Sequence, residues 1–107
     1  MPEPILFIYK IQPVRQEMLT EGTNTEEERI ISEHFSYLEG LTQVGVVHLA
    51  GRTLNPDYSC FGIVIFSADS EQAAREVMLN DPAVRNRVMR AELYPFQVSL
   101  LGELRKS

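Results

Sequence analysis

"VVHLAGRTLNPDYSCFGIVIF", Val46 to Phe66, reads as two strands folded back on each other. Its flanks, "VVHLAGRTL" and "CFGIVIF", are rich in β-branched and aromatic residues, the composition of strands. Between them "NPDYS" brings together Asn55, Pro56 and Asp57, each of which favours a chain reversal. The stretch is a hairpin made of a second and a third strand.

On the N-terminal side of the hairpin, "TEEERIISEHFSYLEGLTQVG" predicts a helix. Thr25 is the expected N-cap, with Glu28 completing a capping box. The acidic run Glu26 to Glu28 suits the positive end of the helix dipole, and Gly45 ends the helix. Ile30, His34, Leu38 and Leu41 recur as one stripe, the face that should meet a core. On the C-terminal side, "ADSEQAAREVMLN" predicts a second helix. Asp69 is its expected cap with Gln72 three residues on, and Ala73, Ala74, Val77 and Met78 form its buried stripe. Pro82 disfavours helix at Asp81, so "DPAVRNR" breaks it. "ILFIYKI", Ile5 to Ile11, predicts a first strand and "MRAELYPFQVSLL", from Met89, a last one, in which Pro95 argues for an edge or a bulge. The segment "QPVRQEMLTEGTN", broken by Pro13 and Gly22, reads as a loop long enough to serve as a lid.

The order β-α-β-β-α-β is the ferredoxin-like split βαβ pattern. It predicts an α+β domain in which two helices cover one face of a four-stranded antiparallel sheet. The other face should alternate polar with apolar residues, and it does not. Phe61, Ile63 and Ile65 point one way while Cys60, Val64 and Phe66 point the other, and Tyr94, Phe96, Val98 and Leu100 line one face of the last strand. So large an apolar face implies a partner. The expectation is a homodimer with two sheets packed face to face into an α+β barrel; the alternative is a cover made by the long loop and the C-terminal tail. The chain reads as a single domain over 1–107, with a loop insert around 12–24 and a short tail around 102–107.

The 107 residues carry a net charge of -5. An acidic chain without a basic cluster is a poor nucleic-acid binder, because neutralising phosphates needs Lys and Arg on one surface. Arg85, Arg87 and Arg90 read as a solvated helix end. The single cysteine, Cys60, allows no internal disulfide and reads as a core residue. "MPEPILFIYKIQ" lacks the basic start of a signal peptide, and no apolar run approaches the roughly 20 residues of a membrane span. A cytoplasmic protein without membrane partners is expected.

His34 is the chemical surprise, a titratable ring on an apolar stripe. It is either a core histidine bonded to a backbone carbonyl or a functional one. In this topology the two helices lie side by side, so Asp81, just past the second helix, can approach the first. A carboxylate beside an imidazole orients the ring and fixes its tautomer, the arrangement of an acid–base dyad. The competing reading of Asp81 is a turn residue before Pro82. Arg52 and Thr53 end a strand where a small anion can be held, Ser59 can donate a hydrogen bond, and Tyr37, one turn from His34, can line the same pocket. Each has an ordinary structural alternative. His48 reads as structural. Phosphate loops, paired-cysteine metal motifs and nucleophile elbows are absent from the sequence.

"EHFSYLEGLTQVGVVHLAGRTL", "FGIVIFSADSEQAAREVMLNDPAV" and "AELYPFQV" together resemble the YCII-related (YciI-like) proteins. The resemblance implies a ferredoxin-like domain dimerising into an α+β barrel, with a His–Asp pair that maps onto His34 and Asp81. Where chemistry is assigned in that family, it includes dehydrochlorination of chlorinated, hydroxylated aromatics. The insert between Pro13 and Asn24 is longer than in the shortest members. The resulting expectation is a small enzyme needing neither cofactor nor metal, in which His34 moves a proton, Asp81 orients it, and Arg52, Ser59 and Tyr37 bind a small, hydroxylated aromatic or lactone substrate during elimination or isomerisation. The alternative is a module of the same fold that binds a small molecule without turning it over.

Overall fold

A computed structural model describes residues 5–104. The termini of the chain, including part of the expected tail and the start of the segment read for a signal peptide, lie outside the described residues. The elements run β1 (Leu6–Pro13), α1 (Glu17–Thr20), α2 (Thr25–Gln43), β2 (Val47–Arg52), β3 (Gly62–Ser67), α3 (Glu71–Leu79), α4 (Pro82–Arg85) and β4 (Met89–Phe96). The strands form one antiparallel sheet in the order β2-β3-β1-β4, which is the ferredoxin-like arrangement. The hairpin forms as expected, with Arg52 opposite Gly62 and Ala50 opposite Val64.

Alternation in β1 and β3 decides what the helices cover. Phe7, Tyr9 and Ile11 are buried, as are Gly62, Val64 and Phe66, and Leu38 of α2 with Ala74 and Met78 of α3 close over them. The residues between, Leu6, Ile8, Ile63 and Ile65, face the other way and are only half-buried. Gly62 leaves space that a side chain would take: a Cβ there would lie 3.1 Å from Ile11 and 3.2 Å from the Gly51 carbonyl. β4 is an edge strand, which is where Pro95 is tolerated.

Local chemistry sets the helix ends, one residue away from the expected positions at both starts. Asn24, not Thr25, caps α2: its side chain accepts from the Glu27 N–H at 2.8 Å, and the Glu27 carboxylate accepts from the Asn24 N–H at 2.9 Å. The capping box is real, but it belongs to Asn24 and Glu27 because Arg15 of the insert holds the Glu27 carboxylate in place. Ser70, not Asp69, caps α3 by accepting from the Ala73 N–H at 3.0 Å. At the other end of α2, Gly45 adopts φ +83, the Gly45 N–H donates to Thr42 and the Val46 N–H to Leu41, a Schellman closure.

Three further differences concern the connections. The insert is not featureless: it contains α1, its Val14 N–H donates to the Val88 carbonyl at 3.0 Å, and Met18 packs on the small core of Ile30, Ala83 and Val88. "PAVR", read as a break, is the one-turn helix α4, because Pro82 occupies the first helical position, where a missing N–H costs nothing. β4 stops at Phe96 rather than continuing to Leu101, since Phe96 lies opposite Leu6, the first residue of β1. Val98 and Leu100 therefore do not extend the sheet face; Leu100 is 94% exposed.

Candidate functional site

Three elements deliver one side chain each to a single point under the helices. β1 supplies Tyr9, fully buried on the covered face of the sheet. α2 supplies His34, fixed along the helix by Ile30 one turn before it, in contact with Ala83 and Val88, and by Leu38 one turn after it in the main core. The α3–α4 junction supplies Asp81. Its extended backbone (ψ 123) is the conformation that a following proline imposes, and its side chain caps α4 by accepting from the Ala83 N–H at 2.9 Å.

Asp81 is completely buried, and every group bonded to its carboxylate is a donor. Oδ1 accepts from Ala83 N–H and lies 2.7 Å from His34 Nδ1. Oδ2 accepts from the Tyr9 hydroxyl at 2.7 Å and lies 2.8 Å from the same Nδ1. No lysine or arginine pairs with it among the described residues. A buried carboxylate is tolerable only with such a full set of donors. The Tyr9 phenol is held well above its ordinary pKa, first by burial and then by the negative Asp81 beside it, so it remains a hydrogen-bond donor throughout the working pH range.

The consequence falls on the imidazole. Facing a carboxylate, Nδ1 must carry a hydrogen and donate, which fixes the neutral ring as the Nδ1–H tautomer. The His34 side chain is 13% exposed. Nε2 has no partner, and among the described residues no side-chain nitrogen or oxygen is both buried and unpartnered, so Nε2 meets solvent. An oriented imidazole with its lone pair outward can take up and return a proton.

Comparison with known proteins fits this geometry into a family. The model of the YCII-related domain matches residues 6–97. The chain belongs to the YCII-related family. No curated protein matches it. Among solved structures, a 5-chloro-2-hydroxyhydroquinone dehydrochlorinase from Burkholderia phenoliruptrix AC1100, in complex with 2,5-dihydroxybenzoquinone, is similar with a TM-score of 0.64 and 19% identity, over 86% of this chain and 93% of its own. A dimeric ferredoxin-like protein from an uncultured marine organism gives a TM-score of 0.46 and 12% identity, over 98% and 95% of the two chains. At these identities the first likeness shows the fold.

The YCII-related domain brings together His34 and Asp81, with Tyr37 close by. The Tyr37 hydroxyl donates to the Val77 carbonyl at 2.7 Å, tying α2 to α3; burial and the charge of Asp81 raise its pKa, against the opposing effect of Arg85. Arg52 and Ser59 make no hydrogen bond to the pair. Ser59 belongs to the hairpin turn, accepting from Asn55 at 2.7 Å and bonding Asp57. Arg52 lines a cavity of about 220 Å³ with Leu49, Gly51, Thr53, Phe61 and Ile63. A second cavity, of about 400 Å³, lies between the insert and the turn, lined by residues such as Glu17, Leu19, Pro56 and Tyr58. Neither cavity is lined by His34 or Asp81. His48 bonds Ser67 on the neighbouring strand, and Cys60 is buried. No helix of the described residues is long and apolar enough to cross a membrane.

Tyr9 is the residue that sequence reasoning missed. The available signal was one phenol in the inward stripe Phe7, Tyr9, Ile11, because a buried hydroxyl requires a partner.

Proposed function

We propose that the domain is a small enzyme that moves protons with its own side chains, His34 acting as acid and base and Asp81 holding it in position. The observation that carries this reading is the placement of Nδ1 at 2.7 and 2.8 Å from the two oxygens of a fully buried carboxylate while Nε2 is left open. Nε2 takes a proton from a substrate hydroxyl or an acidic carbon, the imidazolium is stabilised by Asp81, and the proton returns to the leaving group or to a second carbon. This suits elimination or isomerisation of a small molecule. The choice of hydroxylated aromatics leans on the dehydrochlorinase, whose likeness is one of fold; lactones join them as substrates that isomerise by proton transfer.

The test is incubation with 5-chloro-2-hydroxyhydroquinone and a panel of small hydroxylated aromatics and lactones, with released chloride and products followed by NMR. Turnover that disappears in His34→Ala is the expected result. Turnover unchanged in that variant overturns the assignment.

One observation favours a second reading, a binding module without turnover: neither cavity reaches His34. A molecule bound tightly and recovered unchanged is its signature. In both readings the half-buried face of Leu6, Ile8, Ile63 and Ile65 packs against the same face of a second copy, giving a homodimer and an α+β barrel.

A further inference from the structure

Position 9 lies in the inward stripe of β1 between Phe7 and Ile11, where a phenylalanine would fill almost the same space. The phenol ring meets Phe66 of β3 edge-on, with centroids 5.6 Å apart and planes at 70°, and neither residue reaches solvent. Close packing on that neighbour fixes where the Tyr9 hydroxyl points.

The hydroxyl donates to Oδ2 of Asp81 at 2.7 Å, while the Ala83 N–H donates to Oδ1 at 2.9 Å. One donor comes from β1 and the other from α4. A carboxylate held at one oxygen can pivot about that bond; held at both, its plane is set. His34 Nδ1 lies 2.7 and 2.8 Å from the two oxygens, so the direction of the ring follows from that plane. Each donor also stabilises and disperses the negative charge of the carboxylate, which leaves less of it for the imidazole. Burial and the neighbouring charge keep the phenol protonated, so its donation is constant.

We propose that Tyr9 is a positioning residue of the acid–base site: acting through Asp81, it sets the orientation of His34 and moderates the hold of the carboxylate on the imidazolium. The inference rests on the proton-transfer reading of His34. A carboxylate that grips too strongly keeps the proton on the ring, and one that pivots lets Nε2 swing away from its target. Both slow the steps after binding. Tyr9 is buried and touches no substrate, so it acts on kcat and not on KM.

The test compares wild type, Tyr9→Phe and a chain with 3-fluorotyrosine at position 9, which nearly keeps the shape and donates a stronger hydrogen bond. The Nδ1–H proton of His34 is followed by NMR in the free protein, and kcat and KM are measured on whichever substrate of the proposed panel is turned over. The resonance is expected to move downfield in Tyr9→Phe and upfield in the fluorinated chain. In Tyr9→Phe, kcat should fall roughly tenfold with KM unchanged. A merely structural phenol would lower the stability of Tyr9→Phe and leave the resonance in place. That result, shifts in the same direction in both chains, or an unchanged kcat overturns the proposal. If Tyr9→Phe fails to fold, the fluorinated chain decides, and an unmoved resonance in it overturns the proposal. Absence of turnover in wild type fells the proton-transfer reading alone, because the opposed shifts are read in the free protein.

Discussion

The Tyr9 hydroxyl donates to Asp81 at 2.7 Å across 72 residues of sequence, and both side chains are completely buried. The bond couples β1, one of the two inner strands of the sheet, to the residue that contacts His34. Tyr9→Phe leaves Oδ2 of a buried carboxylate short of one donor, so it should destabilise the protein by about 1–3 kcal/mol, read from urea unfolding. The phenol also reports on pH. Its pKa is raised from 10.0, chiefly by burial and then by Asp81. A raised value contributes stability below the ordinary pKa, and that contribution is lost as pH climbs toward the folded-state value. In an ultraviolet titration, Tyr9 should ionise only as the protein unfolds in alkali.

Asp81→Asn separates geometry from charge. Asparagine caps a helix about as well as aspartate, so α4 should survive. Its amide can present an N–H toward His34, allowing the neutral ring to place its proton on Nε2 instead. The ¹⁵N shifts of the imidazole should report this change of tautomer, and turnover should fall by roughly 10²- to 10⁴-fold. A ring unchanged in tautomer would remove Asp81 from its orienting role.

Strong acid should release the insert from α2, because Arg15 of the insert is tied to Glu27 of α2. Glu27 is held down to about 2 from 4.5, mainly by hydrogen bonds from Arg15 and then by the backbone N–H of Asn24. A depressed carboxyl contributes stability above its unfolded value and loses it as pH falls through the folded one. The stability advantage of wild type over Glu27→Gln should therefore be full near neutrality and shrink between about pH 4.5 and 2. Chemical-denaturant midpoints measured across that range check it.

The proposed homodimer can be tested on one outward residue. Ile65 is half-buried on the uncovered face between Leu49 of β2 and Ile8 of β1. Ile65→Asp should leave the helix-covered core intact and convert the dimer to monomer in light scattering. A wild-type chain that is already monomeric would reject the barrel.

Much of this was legible in the residues because burial imposes periodicity. The hairpin, the stripe of α2 and the two opposed faces of β3 follow from spacing alone, although spacing does not say which face the helices cover. What escaped was short-range competition and long-range placement. Asn24 and Thr25 are both capping residues, and only the grip of Arg15 on Glu27 selects the first. "PAVR" is too short to show a helical period. Tyr9 looks like any inward aromatic until Asp81 arrives beneath it. Arg52 and His34 looked like neighbours in chemistry, yet the sheet runs between the Arg52 cavity and the dyad, a fact that depends on strand register and not on composition.

The turn over residues 55–59 divides the chain so that Tyr9 and His34 lie on one side of it and Asp81 on the other. A break there yields two fragments, the first with an imidazole and no carboxylate to orient it, the second with the reverse. β1 pairs with β3 and β4, so each fragment also lacks the strands that complete the other's sheet. The contact between His34 and Asp81 therefore exists only where the two halves are assembled into one sheet.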